Sequence, residues 1–95
     1  MTAYVIADIE VTDPAAYEGY KSAVGATIAA FGGRYLSRAG HTEVLEGGWQ
    51  PRRLVILEFP SLAQAQAWYR SPGYAPLLAL RKSASKSQLV LTEGL

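Results

Sequence analysis

The sequence predicts a single α+β domain over residues 1–95, with element order β-α-β-β-α-β. Three observations carry this expectation. Helix-period stretches alternate with runs rich in β-branched residues. The junctions between them carry capping or turn chemistry. The strand runs are apolar at successive positions, so both faces of the sheet look oily, where an antiparallel sheet covered on one side should alternate.

Ala3 to Val11 (AYVIADIEV) reads as the first strand. Asp13-Pro14 reads as an N-cap followed by the first helical residue, because Asp accepts from free helix N–H groups and Pro lacks one. Tyr17, Tyr20, Val24, Ile28 and Phe31 then recur at three- and four-residue steps and mark the buried face of that helix. Gly25 inside it costs about 1 kcal/mol relative to Ala, and close approach to the sheet is the expected reason. Gly32-Gly33 ends the helix, since glycine takes the left-handed conformation without a Cβ penalty.

Arg34 to Glu46 reads as the second strand, with a bulge expected near Ala39-Gly40. Gly47-Gly48 begins a loop that runs through Arg52. Arg53 to Phe59 (RLVILEF) is the strongest strand, and Pro60 stops it. Ser61 with Gln64 forms a capping box for a helix from Leu62 to about Arg70, which buries Ala65 and Tyr69 with either Leu62 or Trp68. Ser71-Pro72 opens a further short helical piece through Lys82, broken near Gly73 or Pro76. Gln88 to Glu93 is the last strand. This order is that of the ferredoxin-like fold: one antiparallel sheet, strand order 4-1-3-2, with both helices on one face.

Strand parity puts Tyr4, Ile6, Leu54 and Ile56 together on the face the helices leave open. Such a patch marks an interaction site, and a two-fold homodimer through this face is the commonest solution. The alternative is a solvated face carrying scattered aliphatics. Asp8 and Glu58 share the open face by the same parity. A hairpin register in which paired residue numbers sum to about 99 sets His41 opposite Glu58, with Arg34 and Arg38 on the same edge strand.

Composition excludes several functions. Nine Lys/Arg against eight Asp/Glu leave a net charge of +1, without the basic stripe of a nucleic-acid binder. Zero cysteines exclude disulfides, thiolate chemistry and Cys-type metal sites. The N-terminal residues lack signal-peptide features, and no apolar run approaches the roughly 18 residues of a membrane span. A cytoplasmic protein with neither a membrane nor a nucleic acid as partner is expected. One histidine and scattered carboxylates give no metal-ligand spacing. The glycine pairs lack a phosphate-binding pattern, so no cofactor is expected.

His41 is the one side chain with an ordinary pKa near neutrality. It is a candidate general acid or base if Glu58 fixes its tautomer, and otherwise an exposed loop residue. Glu58, inside an apolar strand, is a candidate base or ligand contact, or one half of an ion pair with Arg34, Arg38 or Arg53. Asp8 carries the same two readings. Trp68 and Tyr74 either fill the core or wall a ligand pocket. Arg81 either satisfies helix C-terminal carbonyls or binds a carboxylate. Trp49 reads as a loop-packing or dimer-contact residue.

Several fragments together resemble a known family: Asp13-Pro14-x-x-Tyr17-x-x-Tyr20, Gly32-Gly33-Arg34-Tyr35 with Arg38, and Leu45-Glu46-Gly47-x-Trp49-x-Pro51-x-Arg53. Glu58-Phe59-Pro60-Ser61, Ala67-Trp68-Tyr69-x-Ser71-Pro72-x-Tyr74 and Leu80-Arg81 follow. The chain resembles the domain of unknown function 1330 family of the dimeric α/β-barrel superfamily, from about Tyr4 to Gly94. Gly73 departs from the family pattern. The resemblance implies a ferredoxin-like protomer whose sheet packs face to face on that of a second copy. The superfamily contains cofactor-free monooxygenases, isomerases and ligand sensors, so it selects no chemistry.

Together these readings give a homodimer with a partly apolar pocket between sheet and helices, edged by Arg and Glu. It acts as a small-molecule enzyme without a cofactor, monooxygenase- or isomerase-like, with His41 or Glu58 moving protons. The alternatives are a binding or regulatory module for a small anionic or aromatic metabolite, and a structural dimerisation domain.

Overall fold

In the computed structural model, which describes all 95 residues, four antiparallel strands form one sheet in the order β2-β3-β1-β4. The elements are β1 (Ala3–Val11), α1 (Pro14–Ala30), β2 (Arg34–Arg38), β3 (Leu54–Phe59), α2 (Leu62–Tyr69), α3 (Ala75–Ala84) and β4 (Ser85–Glu93). This is the ferredoxin-like α+β architecture, with the second helical region divided into α2 and α3.

Asp13 and Ser61 cap their helices as expected, although Gln64 does not return the second bond of a capping box. Asp13 accepts from Ala16 N at 3.2 Å, and Pro14 occupies the first turn of α1. Ser61 Oγ accepts from Gln64 N at 3.1 Å and starts α2. Tyr17, Tyr20, Val24 and Ile28 line the buried face of α1. They meet Val5, Ala7, Ile9, Val55, Leu57 and Phe59 on the covered face of the sheet. Ile6 lies opposite both Ile56 and Val90, Tyr4 opposite Glu58, and Asp8 opposite Leu54. Those residues occupy the other face, which no helix covers. In the single chain Val90 is 60% exposed there.

Several details depart from the expected pattern. Strand β2 stops at Arg38 rather than Glu46, and residues 39–53 form an irregular connection. Pairing starts at Arg34↔Glu58 and ends at Arg38↔Val55, so His41 lies beyond the ladder and not opposite Glu58. The chain leaves the strand at Ala39, whose φ is +55° and whose N–H still reaches Leu54 O. The bulge lies between Tyr35 and Ser37, not at Ala39-Gly40. Tyr69 faces outward, leaving Ala65 and Trp68 as the buried residues of α2. Strand β4 begins at Ser85, directly after α3, three residues before the expected Gln88.

Gly25 does not approach the sheet: a Cβ there would meet nothing within 4 Å. The glycine that does is Gly33, where a Cβ would lie 2.6 Å from Phe59 and 2.7 Å from Ile28. These two sites give opposite expectations. Gly33→Ala should destabilise by roughly 1–3 kcal/mol, the cost of overpacking. Gly25→Ala should stabilise by up to about 1 kcal/mol, from helix propensity alone. Urea denaturation of the two variants measures both signs.

Candidate functional site

Between α1 and the covered face of the sheet lies a cavity of about 30 Å³. That is room for about two waters at 10–15 Å³ each. Its floor is Val5, Ala7, Val55 and Leu57 from the sheet, and its walls include Tyr17 and Tyr20 of α1, Tyr35 of β2 and Trp68 of α2. The only charged residues that line it are cationic: Lys21, Arg38, Arg53 and Arg81.

Arg38 guards the way in. It is the one exposed residue of the lining. Its guanidinium lies 4.7 Å above the Tyr35 ring, and Nη2 donates to Lys21 O at 3.2 Å, so the side chain bridges β2 to α1. The bulge at residues 35–37 is what turns it inward. Arg34, opposite Glu58, stays on the open face, while Arg38, opposite Val55, reaches the covered one. Arg53, just ahead of β3, approaches the Tyr17 ring at 5.7 Å, and its buried Nε has no hydrogen-bond partner.

Arg81 is the deepest cation, with 3% of its surface exposed. It sits in the last turn of α3, where the helix dipole favours positive charge. No carboxylate pairs with it. Its Nε donates to Tyr74 Oη at 3.4 Å and its Nη1 to Ser87 Oγ. Burial works against the charge. The Tyr74 hydrogen bond and the neighbouring Tyr74, Tyr20 and Tyr69 oxygens more than offset that and hold the pKa above the ordinary arginine value. Tyr74 Oη in turn lies 2.8 Å from Tyr20 Oη. Burial pushes the Tyr20 pKa up, and Tyr74 pushes it further, while Arg81 pulls the other way. Burial also raises Tyr35, against the opposing pull of Arg38.

The expected site residues divide into three places. Arg38, Trp68 and Arg81 line the cavity. Tyr74 stands one layer behind it, fully buried, with its ring centroid 4.3 Å from that of Trp68. Trp68 is also core, and its Nε1 donates to Thr27 Oγ1 at 3.1 Å. Within the chain Arg81 turns inward and donates to the hydroxyls of Tyr74 and Ser87 rather than to helix C-terminal carbonyls.

Asp8 and Glu58 lie on the open face, away from the cavity. Glu58 accepts from Arg34 Nε at 2.9 Å. Asp8 accepts from Trp49 Nε1 and from Arg52 N, both at 2.9 Å, and ties down the connection between β2 and β3. His41 is exposed, 3.3 Å from Glu43 in the same connection. The pocket is therefore edged by arginine without glutamate. Sequence does not mark Tyr20, Tyr35 and Arg53 as cavity residues, nor Ser87 as the partner of Arg81. Helical spacing marks Tyr20 only as core, and Tyr35 faces inward by simple alternation from Arg34, a parity that carries no sign of a cavity.

A family model decides the chain's relationship. The "Domain of unknown function (DUF1330)" model matches residues 2–95. The chain belongs to this family. No curated protein matches it in sequence. Among solved structures, RPA0582 from Rhodopseudomonas palustris, a protein of unknown function, is 20% identical with TM-score 0.80, covering 99% of this chain and 82% of that one. SnoaB from Streptomyces nogalater, a cofactor-independent oxygenase, is 17% identical with TM-score 0.64, covering 99% and 92%. A Nitrosomonas europaea protein provisionally assigned as an antibiotic biosynthesis monooxygenase is 14% identical with TM-score 0.62, covering 100% and 99%. At these identities the likeness is one of fold. No helix in this family member is long and apolar enough to cross a membrane. No group of three His, Asp or Glu side chains is placed to hold a metal ion.

Two outcomes follow from this geometry. Asp8→Ala removes two hydrogen bonds that tie the middle of the 39–53 connection to β1, so Trp49 fluorescence should shift to the red and proteolysis within the connection should accelerate. Tyr20 and Tyr35 have raised pKa values in the folded chain, so above the ordinary tyrosine value of about 10 the unfolded state binds fewer protons than the folded one. Stability should therefore be fully present below that pH and fall as pH rises beyond it. Thermal melting across the alkaline range measures this, and Tyr20→Phe should flatten the dependence.

Proposed function

We propose that this protein is a homodimer that binds a small organic anion with an apolar body in the cavity between α1 and the sheet. The single observation that carries this reading is the charge of the lining: four cationic residues, no carboxylate, and otherwise aromatic and aliphatic walls. Lys21 pairs with Glu18 and Arg38 is exposed, whereas Arg53 and the buried Arg81 have no carboxylate partner. Unpaired buried positive charge is costly, and an anion is the ligand that relieves the cost. Aromatic walls with a few convergent polar groups are also what small-molecule sites use. The present volume is below that of a filled ligand site, so entry requires Arg38 to swing off Tyr35. Its exposed position at the rim leaves it free to do so.

The homodimer is part of the same proposal. Tyr4, Ile6, Leu54, Ile56 and Val90 form an apolar strip on the uncovered sheet face. A second copy packed there removes that strip from water, and it encloses Asp8 and Glu58 at the interface.

The test compares benzoate with benzamide, which has nearly the same shape without the charge. Benzoate should raise the melting temperature in a concentration-dependent way and benzamide should not. Arg38→Met should weaken the benzoate effect. Equal response to both probes, or to neither, overturns the anion reading. Sedimentation at micromolar concentration should give a dimer, and Ile56→Lys should give a monomer.

A second reading, a cofactor-independent oxygenase or isomerase acting on the bound anion, is favoured by the fold shared with SnoaB. Oxygen uptake or product formation with an anion that binds would support it. Neither His41 nor Glu58 reaches the cavity, so on this reading the cavity's own tyrosines and arginines orient the substrate.

A further inference from the structure

The hydroxyls of Tyr20 and Tyr74 share one hydrogen bond, and its direction has a consequence for the cavity. Arginine only donates, so Tyr74 Oη accepts from Arg81 Nε. Two arrangements of the remaining hydroxyl hydrogens are then open. If Tyr20 donated to Tyr74, the Tyr74 hydrogen would have no acceptor at a residue with 0% exposure that does not line the cavity. That strands a buried donor at full desolvation cost. If Tyr74 donates to Tyr20, each oxygen in the chain accepts one hydrogen bond, and the hydrogen left over belongs to Tyr20, which does line the cavity. The positive charge of Arg81 also repels the Tyr74 hydrogen and favours this second order. Tyr20 makes no other side-chain hydrogen bond, is 7% exposed and lines the cavity, so a ligand there can supply the acceptor that the chain itself does not give this last O–H.

We propose that Tyr20 Oη–H is a preset donor for a ligand oxyanion, polarised by Arg81 through Tyr74, and that the cavity selects molecules bearing a carboxylate or phenolate oxygen. This rests on the reading of the cavity as a small-anion site and adds which atom of the ligand goes where. Successive donation from a charged group strengthens each bond along a chain. A hydrogen bond to a charged acceptor is also worth more than one to a neutral acceptor. Tyr20 therefore discriminates between the ionised and the neutral form of one molecule, which a merely positive cavity wall does less sharply.

The probe is 4-nitrophenol, whose ionised form is read by its visible absorbance, with benzoate as the carboxylate counterpart. Bound to the wild-type protein, 4-nitrophenol should be ionised at a lower pH than in free solution. Tyr20→Phe should reduce the preference for phenolate over phenol, and the affinity for benzoate, by on the order of tenfold to a hundredfold, the loss expected for one hydrogen bond to a charged group. Tyr74→Phe leaves the Tyr20 hydroxyl in place and cuts it off from Arg81, so it should cause a smaller loss of the same kind. It also serves as the test if Tyr20→Phe does not fold. Melting curves check that each variant is folded. If the wild-type protein binds both probes and neither variant changes the phenolate preference, the donor role of Tyr20 is wrong and the anion site stands. If the wild-type protein binds neither probe, the anion site fails and the donor role falls with it.

Discussion

A guanidinium sunk beneath the surface without a carboxylate partner is the constraint that orders this molecule. Arg81 is held by dipoles alone: the C-terminal end of α3, the Tyr74 hydroxyl and the Ser87 hydroxyl. Those partners come from three parts of the chain, so stabilising one charge fixes three relationships at once. Helix α3 must end where it does. Strand β4 must start at once, because Ser87 has to lie beneath the arginine, and Ser85 Oγ caps the last turn by donating to Arg81 O at 2.5 Å. The segment between α2 and α3 must bring Tyr74 inward, which Ser71 does by donating to Trp68 O and accepting from Tyr74 N.

The two faces of the sheet then do different jobs. On the covered face, aliphatic side chains meet a tyrosine-rich helix, and the space left over is bordered by positive charge. On the open face, Glu58 is satisfied by Arg34, and Asp8 by Trp49 and the Arg52 backbone. Glu58 and Asp8 are thus hydrogen-bonded where a second copy is proposed to pack, while Arg81 and Arg53 lack a carboxylate where a ligand is proposed to enter. That contrast agrees with the cost of leaving ions unpaired in a dry interface.

Much of the fold was legible because it depends on local rules. Asp13-Pro14 and Ser61 name their helices by capping chemistry, and the parity of Val5, Ala7, Ile9, Val55 and Leu57 names the core face. The end of β2 was not legible. Residues 41–46 carry strand-forming side chains, yet β3 begins only at Leu54 and offers them no partner backbone. The site was legible in part. Arg38, Trp68 and Arg81 could be singled out by residue type, but their orientation could not. Arg38 turns inward through a bulge that no residue preference announces. The Tyr20–Tyr74 contact joins residues 54 positions apart, which periodicity along one helix cannot reveal.

The irregularity at Tyr35–Ser37 bears on how such a chain can change over generations. In an unbroken ladder, positions four apart share a side, and Arg34 and Arg38 would stand together. Here one surplus residue divides them, so that each serves a different neighbourhood. Exchanging one amino acid for another within this strand leaves that division intact. Losing the surplus codon would leave the two arginines three apart in a regular ladder, still on opposite sides, with the downstream one still opposite Val55. In this short edge strand it is therefore the partner each arginine meets on β3, and not the number of residues between them, that decides which side it serves.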